Sequence, residues 1–303
     1  MRVSSVVVVG FAGAALFTAA SQAQSSLPGP LAQQIEEAEA RVAQPAAQND
    51  GVAWWELGRL EQDAARYGDA ERCYARALSL LEGGDKAALA NALDSAGTLY
   101  VETGEIAKAE PLEQRALALR EAANDSLGEG RSWMHLAMLS LGRHDAGAAV
   151  HYARMAQQRL VDAKPGVAAS PEEKMTALVD LALALCADGR CSHASAPLRE
   201  AHRIAVANAG PAGAFPAGYI DFLRGYVDWQ AGDAAEASGL MKSGIAAMEA
   251  ELGFGHPTYV AALGAYRDFL EQTGDLAGAA EVRERMERMA PVQTASAVAN
   301  GVR

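Results

Sequence analysis

Apolar residues recur every three to four positions in helix-length runs along most of this chain, and short turns rich in Gly and Asp separate the runs. From about Gly51 to Met286 the same unit appears six times: a helix, a tight turn, then a second helix with Ala at fixed offsets. Copy one reads Trp54, Leu57, Gly58, then Ala70, Tyr74, Ala77. Copy two reads Leu93, Ala96, Gly97, Tyr100, Gly104, Ala109, Ala116. Copy three (Trp133, Leu136, Ala137) is less regular, and its turn at Gly142-Arg143-His144-Asp145 reads as two residues short. Copy four reads Leu178, Leu181, Ala182, Leu185, Gly189, Ala194, Leu198, Ala201, and copy six reads Leu263, Tyr266, Leu270, Gly274, Ala279, Met286. No alternating stretch bounded by turn residues reads as a strand, so the pattern predicts an all-α chain.

The local chemistry agrees with that division. Small residues at Gly58, Gly97, Ala182, Ala70, Ala109 and Ala279 let two helices approach closely, and Leu, Tyr and Trp fill the remaining gaps. One helix pair cannot bury its apolar face alone, whereas stacked neighbours can. Ser170-Pro171-Glu172-Glu173 combines an N-cap, a Pro at the first helical position and a capping-box Glu. Asp50 and Asp85 are placed to cap the first helices of copies one and two. Gly104, Gly189, Gly232 and Gly274 stand where a first helix must end.

This spacing resembles the tetratricopeptide repeat, with its W-x2-L-G-x2-Y signature followed by Ala and an aromatic in the second helix. The copies start roughly 39 to 45 residues apart, against about 34 in the usual repeat. Ala109-Glu110-Pro111-Leu112 with Arg115-Ala116-Leu117-Ala118-Leu119, and Glu251-Leu252-Gly253-Phe254-Gly255-His256-Pro257, resemble the longer-helix subclass of kinesin light chains. The resemblance implies an α-solenoid, a right-handed superhelix of about six repeats, that holds a protein or peptide partner in its concave groove.

Outside the array, occupying residues 50–290, the reading is simpler. Met1-Arg2, the apolar run from Val6 to Ala20 and the small-x-small site Ser21-Gln22-Ala23 predict a signal peptide over residues 1–23, cleaved after Ala23. The run is short for a membrane span. Residues 24–49 comprise a Pro-containing linker and a short amphipathic helix, Leu31–Ala43, on which Leu31, Ile35, Ala38 and Val42 recur; it is expected to cover the open side of the first repeat. Ala163 to Ala169 is a longer connector, and residues 291–303 read as a disordered tail. The mature chain is thus expected in a periplasm or secreted, with no stable span.

The formal charge of −12 and the absence of a basic stripe argue against nucleic acid. No H-E-x-x-H, G-x-S-x-G, P-loop or strand-linked G-x-G-x-x-G occurs, so neither an enzyme nor a cofactor is expected. Cys186 and Cys191 flank a helix-to-turn junction, where a bridge and two small buried residues are both open readings, and we prefer the buried pair. With His193 and His202 they form the best metal candidate, but the four fall on different sides of a turn, and no metal is assigned. His144 and His151 read as two turns apart on one helical face, with no third ligand.

Groove candidates come from the first helices: Trp55, Arg59 and Gln62 in copy one, Asn91, Asp94 and Thr98 in copy two, Asp268 and Glu271 in copy six. Trp54 matches the core position, so Trp55 points about 100° away, either into the groove beside Arg59 or under the Leu31–Ala43 helix. In copy five, Tyr219, Phe222, Tyr226 and Trp229 share a face. The register that sends them to the groove buries Asp221, Arg224 and Asp228, so core packing is preferred, with Tyr219 left as the one that protrudes. The chain lacks the Lys/Arg and Asn set of the peptide-carboxylate clamp. The expected function is a non-catalytic adaptor in the bacterial envelope. The alternatives are a self-associating structural protein and a metal- or redox-responsive one built on Cys186, Cys191 and His193.

Overall fold

A computed structural model describes residues 28–161, 169–208, 214–252 and 256–300, and every regular element among them is helical. They fall into two units divided between Ala169 and Ser170. The first unit holds α1 (Pro28–Ala43), α2 (Gly51–Asp63), α3 (Tyr67–Leu81), α4 (Lys86–Glu102), α5 (Ile106–Ala123), α6 (Ser126–Gly142) and α7 (Ala146–Leu160). The second holds α8 (Pro171–Ala187), a single 3-10 turn at Cys191–His193, α9 (Ser195–Ala207), α10 (Ala214–Gln230), α11 (Ala234–Leu252), α12 (Pro257–Thr273) and α13 (Leu276–Asn300). The fold is that of helical repeats, three helix-turn-helix pairs in each unit.

One turn closes all six first helices, and it recurs after the second helix α5 at Asn124 (φ 53), where the Asp125 N–H reaches the Arg120 carbonyl at 2.9 Å. Each first helix ends on a single residue in the left-handed region: Ala65 (φ 56), Gly104 (79), His144 (60), Gly189 (76), Gly232 (98) and Gly274 (88). The next N–H then reaches back to a carbonyl in the last turn, from Arg66 to Glu61, Glu105 to Tyr100, Asp145 to Ser140, Arg190 to Leu185, Asp233 to Asp228 and Asp275 to Leu270, at 2.7–2.9 Å. This is the Schellman closure, which satisfies carbonyls the helix leaves open. Copy three is therefore not short. Its turn is 143–145, as long as 64–66 and 103–105, and His144 stands in it rather than on a helical face shared with His151. Ala and His carry a steric cost in this region that Gly escapes. Ala65→Gly is expected to raise the stability of the first unit by about 0.5–1 kcal/mol, read as a higher urea midpoint.

The starts follow the expected chemistry. Asp50 accepts from the N–H groups of Val52 and Ala53, and Asp85 from those of Ala87 and Ala88. Ser170 and Glu173 form the full capping box. In the core, Ala70, Ala77, Ala109, Ala116, Ala149 and Ala153 are wholly buried, and the helices close to alanine distance around them. Through Ile35 and Val42, α1 packs against Ala53, Leu57 and Cys73, with Trp54 alongside.

Other expectations change. Cys186 and Cys191 form a disulfide, their Cα atoms 4.1 Å apart. The continuous helix that would have kept them apart ends at Ala187, and the turn over Gly189 folds Cys191 back. Tyr219 does not protrude. It is 1% exposed and joins Phe222 and Tyr226 in the core, with Trp229 half-buried and edge-on to Tyr226 and Phe269. That register leaves Asp221, Arg224 and Asp228 partly exposed and partnered: Asp221 pairs with Arg224 (2.8 Å) and His202 (3.0 Å), and Asp228 accepts from Ser195 (3.1 Å). α13 continues to Asn300, past Pro291. Residues 1–23, nearly all of the 163–169 connector and 301–303 lie outside the described residues.

Candidate functional site

In the first unit the first helices of successive pairs stand side by side, α2 against α4 and α4 against α6. Trp54, Leu93 and Trp133 are equivalent positions, so Trp55 corresponds to Asp94, and Ser95 to His135. The same repeat-to-repeat contact is then filled twice with different chemistry.

Between α2 and α4, the Trp55 indole N–H donates to the Ser95 hydroxyl at 2.8 Å. The half-buried ring rests on the cluster around Leu81, Leu89 and Leu93, with Leu78 and Leu112 at its flank, whereas Trp54 takes the place under α1. The exposed Arg59 guanidinium lies over the Trp55 ring, 5.9 Å from its centre. Gln62 accepts from the buried Tyr74 hydroxyl at 2.7 Å, and Thr98 lies half-buried one turn beyond Asp94.

Between α4 and α6 the contact is ionic and buried. Arg120, on α5, donates to Asp94 Oδ2, to Asn91 Oδ1 (3.0 Å) and to Ser132 Oγ (2.7 Å). His135 Nδ1 lies 3.0 Å from Glu113 Oε2 and 4.0 Å from Asp94 Oδ1. Asp94 and Asn91, expected to line an open groove, are thus engaged inside the repeat stack, Asp94 at 8% exposure. Burial pushes the Glu113 carboxyl well above the usual carboxylate range, with His135 opposing it. Burial alone would lower the His135 imidazole, but Glu113 outweighs it and holds the ring above its ordinary value.

Periodicity misses Glu113, Arg120, Ser132 and His135. A signal exists all the same. Gly97 faces Glu113 so closely that any Cβ there would collide with its carboxylate, and Glu113 and Arg120 are seven residues apart on one face of α5. In copy six, Asp268 pairs with Arg267 (2.7 Å) and Glu271 with Arg283 (2.9 Å). A cleft in the second unit between α11, α12 and α13 has an apolar floor of Ile245, Leu263, Leu270 and Val282 under a rim of charged residues. In the Cys/His metal candidate the disulfide holds both thiols, and His202 Nδ1 lies 3.0 Å from Asp221 Oδ1.

The repeated turn, the alanine core and the Trp54-Leu57-Gly58 spacing find their match in known proteins over residues 50–122, which match the Tetratricopeptide repeat family. Residues 50–122 carry tetratricopeptide repeats. No curated protein matches its sequence. Among solved structures, it is similar to BtubC (BKLC) from P. vanneervenii, at 20% identity and a TM-score of 0.60 over 74% of this chain and 93% of that one. It is similar also to a Podosopora anserina kinesin light chain with nearly identical TPR-like repeats, at 15% identity and TM-score 0.54 over 65% and 94%. A third likeness is the Rap conjugation gene regulator of plasmid pLS20 in complex with the Phr* peptide, at 14% identity and TM-score 0.54 over 82% and 76%. At such identities the likeness is one of fold. The tetratricopeptide-repeat fold accounts for the equivalence of Trp55 with Asp94 and of Ser95 with His135. Among the described residues, no helix is long and apolar enough to cross a membrane.

Proposed function

We propose that this chain is a non-catalytic scaffold of the bacterial envelope that binds a peptide segment across the first helices of its N-terminal repeats. The observation that carries the reading is Arg59 lying exposed over the half-buried Trp55 ring, whose indole N–H is held by the Ser95 hydroxyl. Arg and Trp are enriched among residues that dominate binding energy, and a ring already fixed on one edge loses little entropy when a ligand covers it. Gln62 and Thr98 flank the pair as polar positions. The Rap regulator supports the class of ligand, since its structure contains a peptide. The Cys186–Cys191 disulfide supports an oxidising compartment, as does the signal peptide expected over residues 1–23.

Selection of a displayed peptide library on the signal-free chain tests this directly. Enriched peptides are expected to lose at least about ten-fold in affinity against Trp55→Ala, about 1.4 kcal/mol or more, and several-fold against Arg59→Ala. No enrichment, or affinities indifferent to both changes, would remove the proposal.

A further inference from the structure

We propose that Asp94, Glu113 and His135 form a binding site for a divalent first-row transition cation. Two carboxylates and an imidazole arrive from three different helices, α4, α5 and α6, with one ligand atom of each within 4.8 Å of the others. A tetrahedral zinc ion with bonds of about 2.0–2.2 Å places its ligand atoms roughly 3.3 Å apart. The 3.0 Å and 4.0 Å separations from His135 Nδ1 bracket that value, so small side-chain rotations complete the set.

A second observation is independent of the clustering. Asp94 Oδ1 is fully enclosed and has no hydrogen-bond donor among the described residues, while facing the other two ligands. A buried carboxylate oxygen without a donor is costly, and a cation between the three groups removes the cost. The surroundings are those of a supported site. Arg120 fixes the other oxygen of Asp94 and is itself held by Asn91 and Ser132, the kind of outer-shell bracing that sets ligand orientation. Gly97 leaves the space that the Glu113 carboxylate occupies. The His135 side chain is 35% exposed, which gives an ion a route in from solvent. Three protein ligands leave a fourth position for water or for a group on a bound partner. The rival occupant is a proton shared between the carboxylates.

The test uses tag-free, signal-free chain stripped with a chelator, loaded with zinc and passed through gel filtration. One zinc per chain is expected to be retained, with an X-ray absorption shell of oxygen and imidazole nitrogen and no sulfur. His135→Ala and Asp94→Asn are each expected to weaken zinc at least ten-fold in competition with a chromophoric chelator, while His202→Ala leaves it unchanged. Should either variant fail to fold, the His135 ring resonance of the wild-type chain decides, because it must shift on zinc addition. Zinc not retained, retained equally by both variants, coordinated through sulfur, or added without moving His135 would overturn the site. A proton would then be its occupant.

Discussion

Arg120→Ala is expected to destabilise the first unit by about 3–5 kcal/mol, because it breaks a buried ion pair from one side only. The Arg120 side chain is 4% exposed and the Asp94 side chain 12%, so removing the guanidinium strands a carboxylate that has little water to turn to. Asn91 and Ser132 lose their donor in the same step. The buried pair itself adds little net stability, because both charges gave up hydration to form it. Arg120→Met combined with Asp94→Leu is therefore expected to recover most of the loss. Guanidinium unfolding followed by tryptophan fluorescence reads this well, since Trp54, Trp55 and Trp133 all report on the first unit. Equal losses in the single and double variants would contradict the pairing.

The second large effect is a contrast between two identical substitutions five residues apart on α11. At Gly244 a Cβ would stand 2.5 Å from the Gly218 carbonyl oxygen and 2.7 Å from both the Cβ and the amide nitrogen of Phe222. Backbone atoms cannot swing aside, so α10 and α11 must separate, and Gly244→Ala is expected to cost about 2 kcal/mol. Gly239 is exposed on the same helix with nothing within 4 Å of its would-be Cβ. There the substitution only trades a flexible residue for a strong helix former, and Gly239→Ala is expected to gain about 1 kcal/mol. Circular dichroism during guanidinium unfolding measures both. The same sign at both positions would show that close helix approach does not govern this pair.

Much of the architecture is legible because it repeats locally. The caps at Asp50, Asp85 and Ser170 and the turn glycines at 104, 189, 232 and 274 each act within a few residues, so composition at fixed offsets reveals them. Ala65 and His144 occupy the same left-handed position without glycine, because the backbone hydrogen bond across the turn closes it whatever side chain it holds. A search for glycine therefore misjudges copy three. Asp94 shows the opposite limit. Its helical register marks it as inner face, but Arg120 lies 26 residues on and His135 farther still. Charge pairing between repeats leaves no periodic trace. Tyr219 stands at i, i+3, i+7 spacing with Phe222 and Tyr226, and once the register buries that face all three enter the core together.

Hydrogen–deuterium exchange on the full signal-free chain, with and without a peptide selected on it, measures most directly whether the first helices are the recognition surface. Slower exchange is expected in α2 and α4, around Trp55 and Arg59, with the second unit unchanged. Protection confined to the α11–α13 cleft, or none on α2 and α4 at saturating peptide, would contradict it.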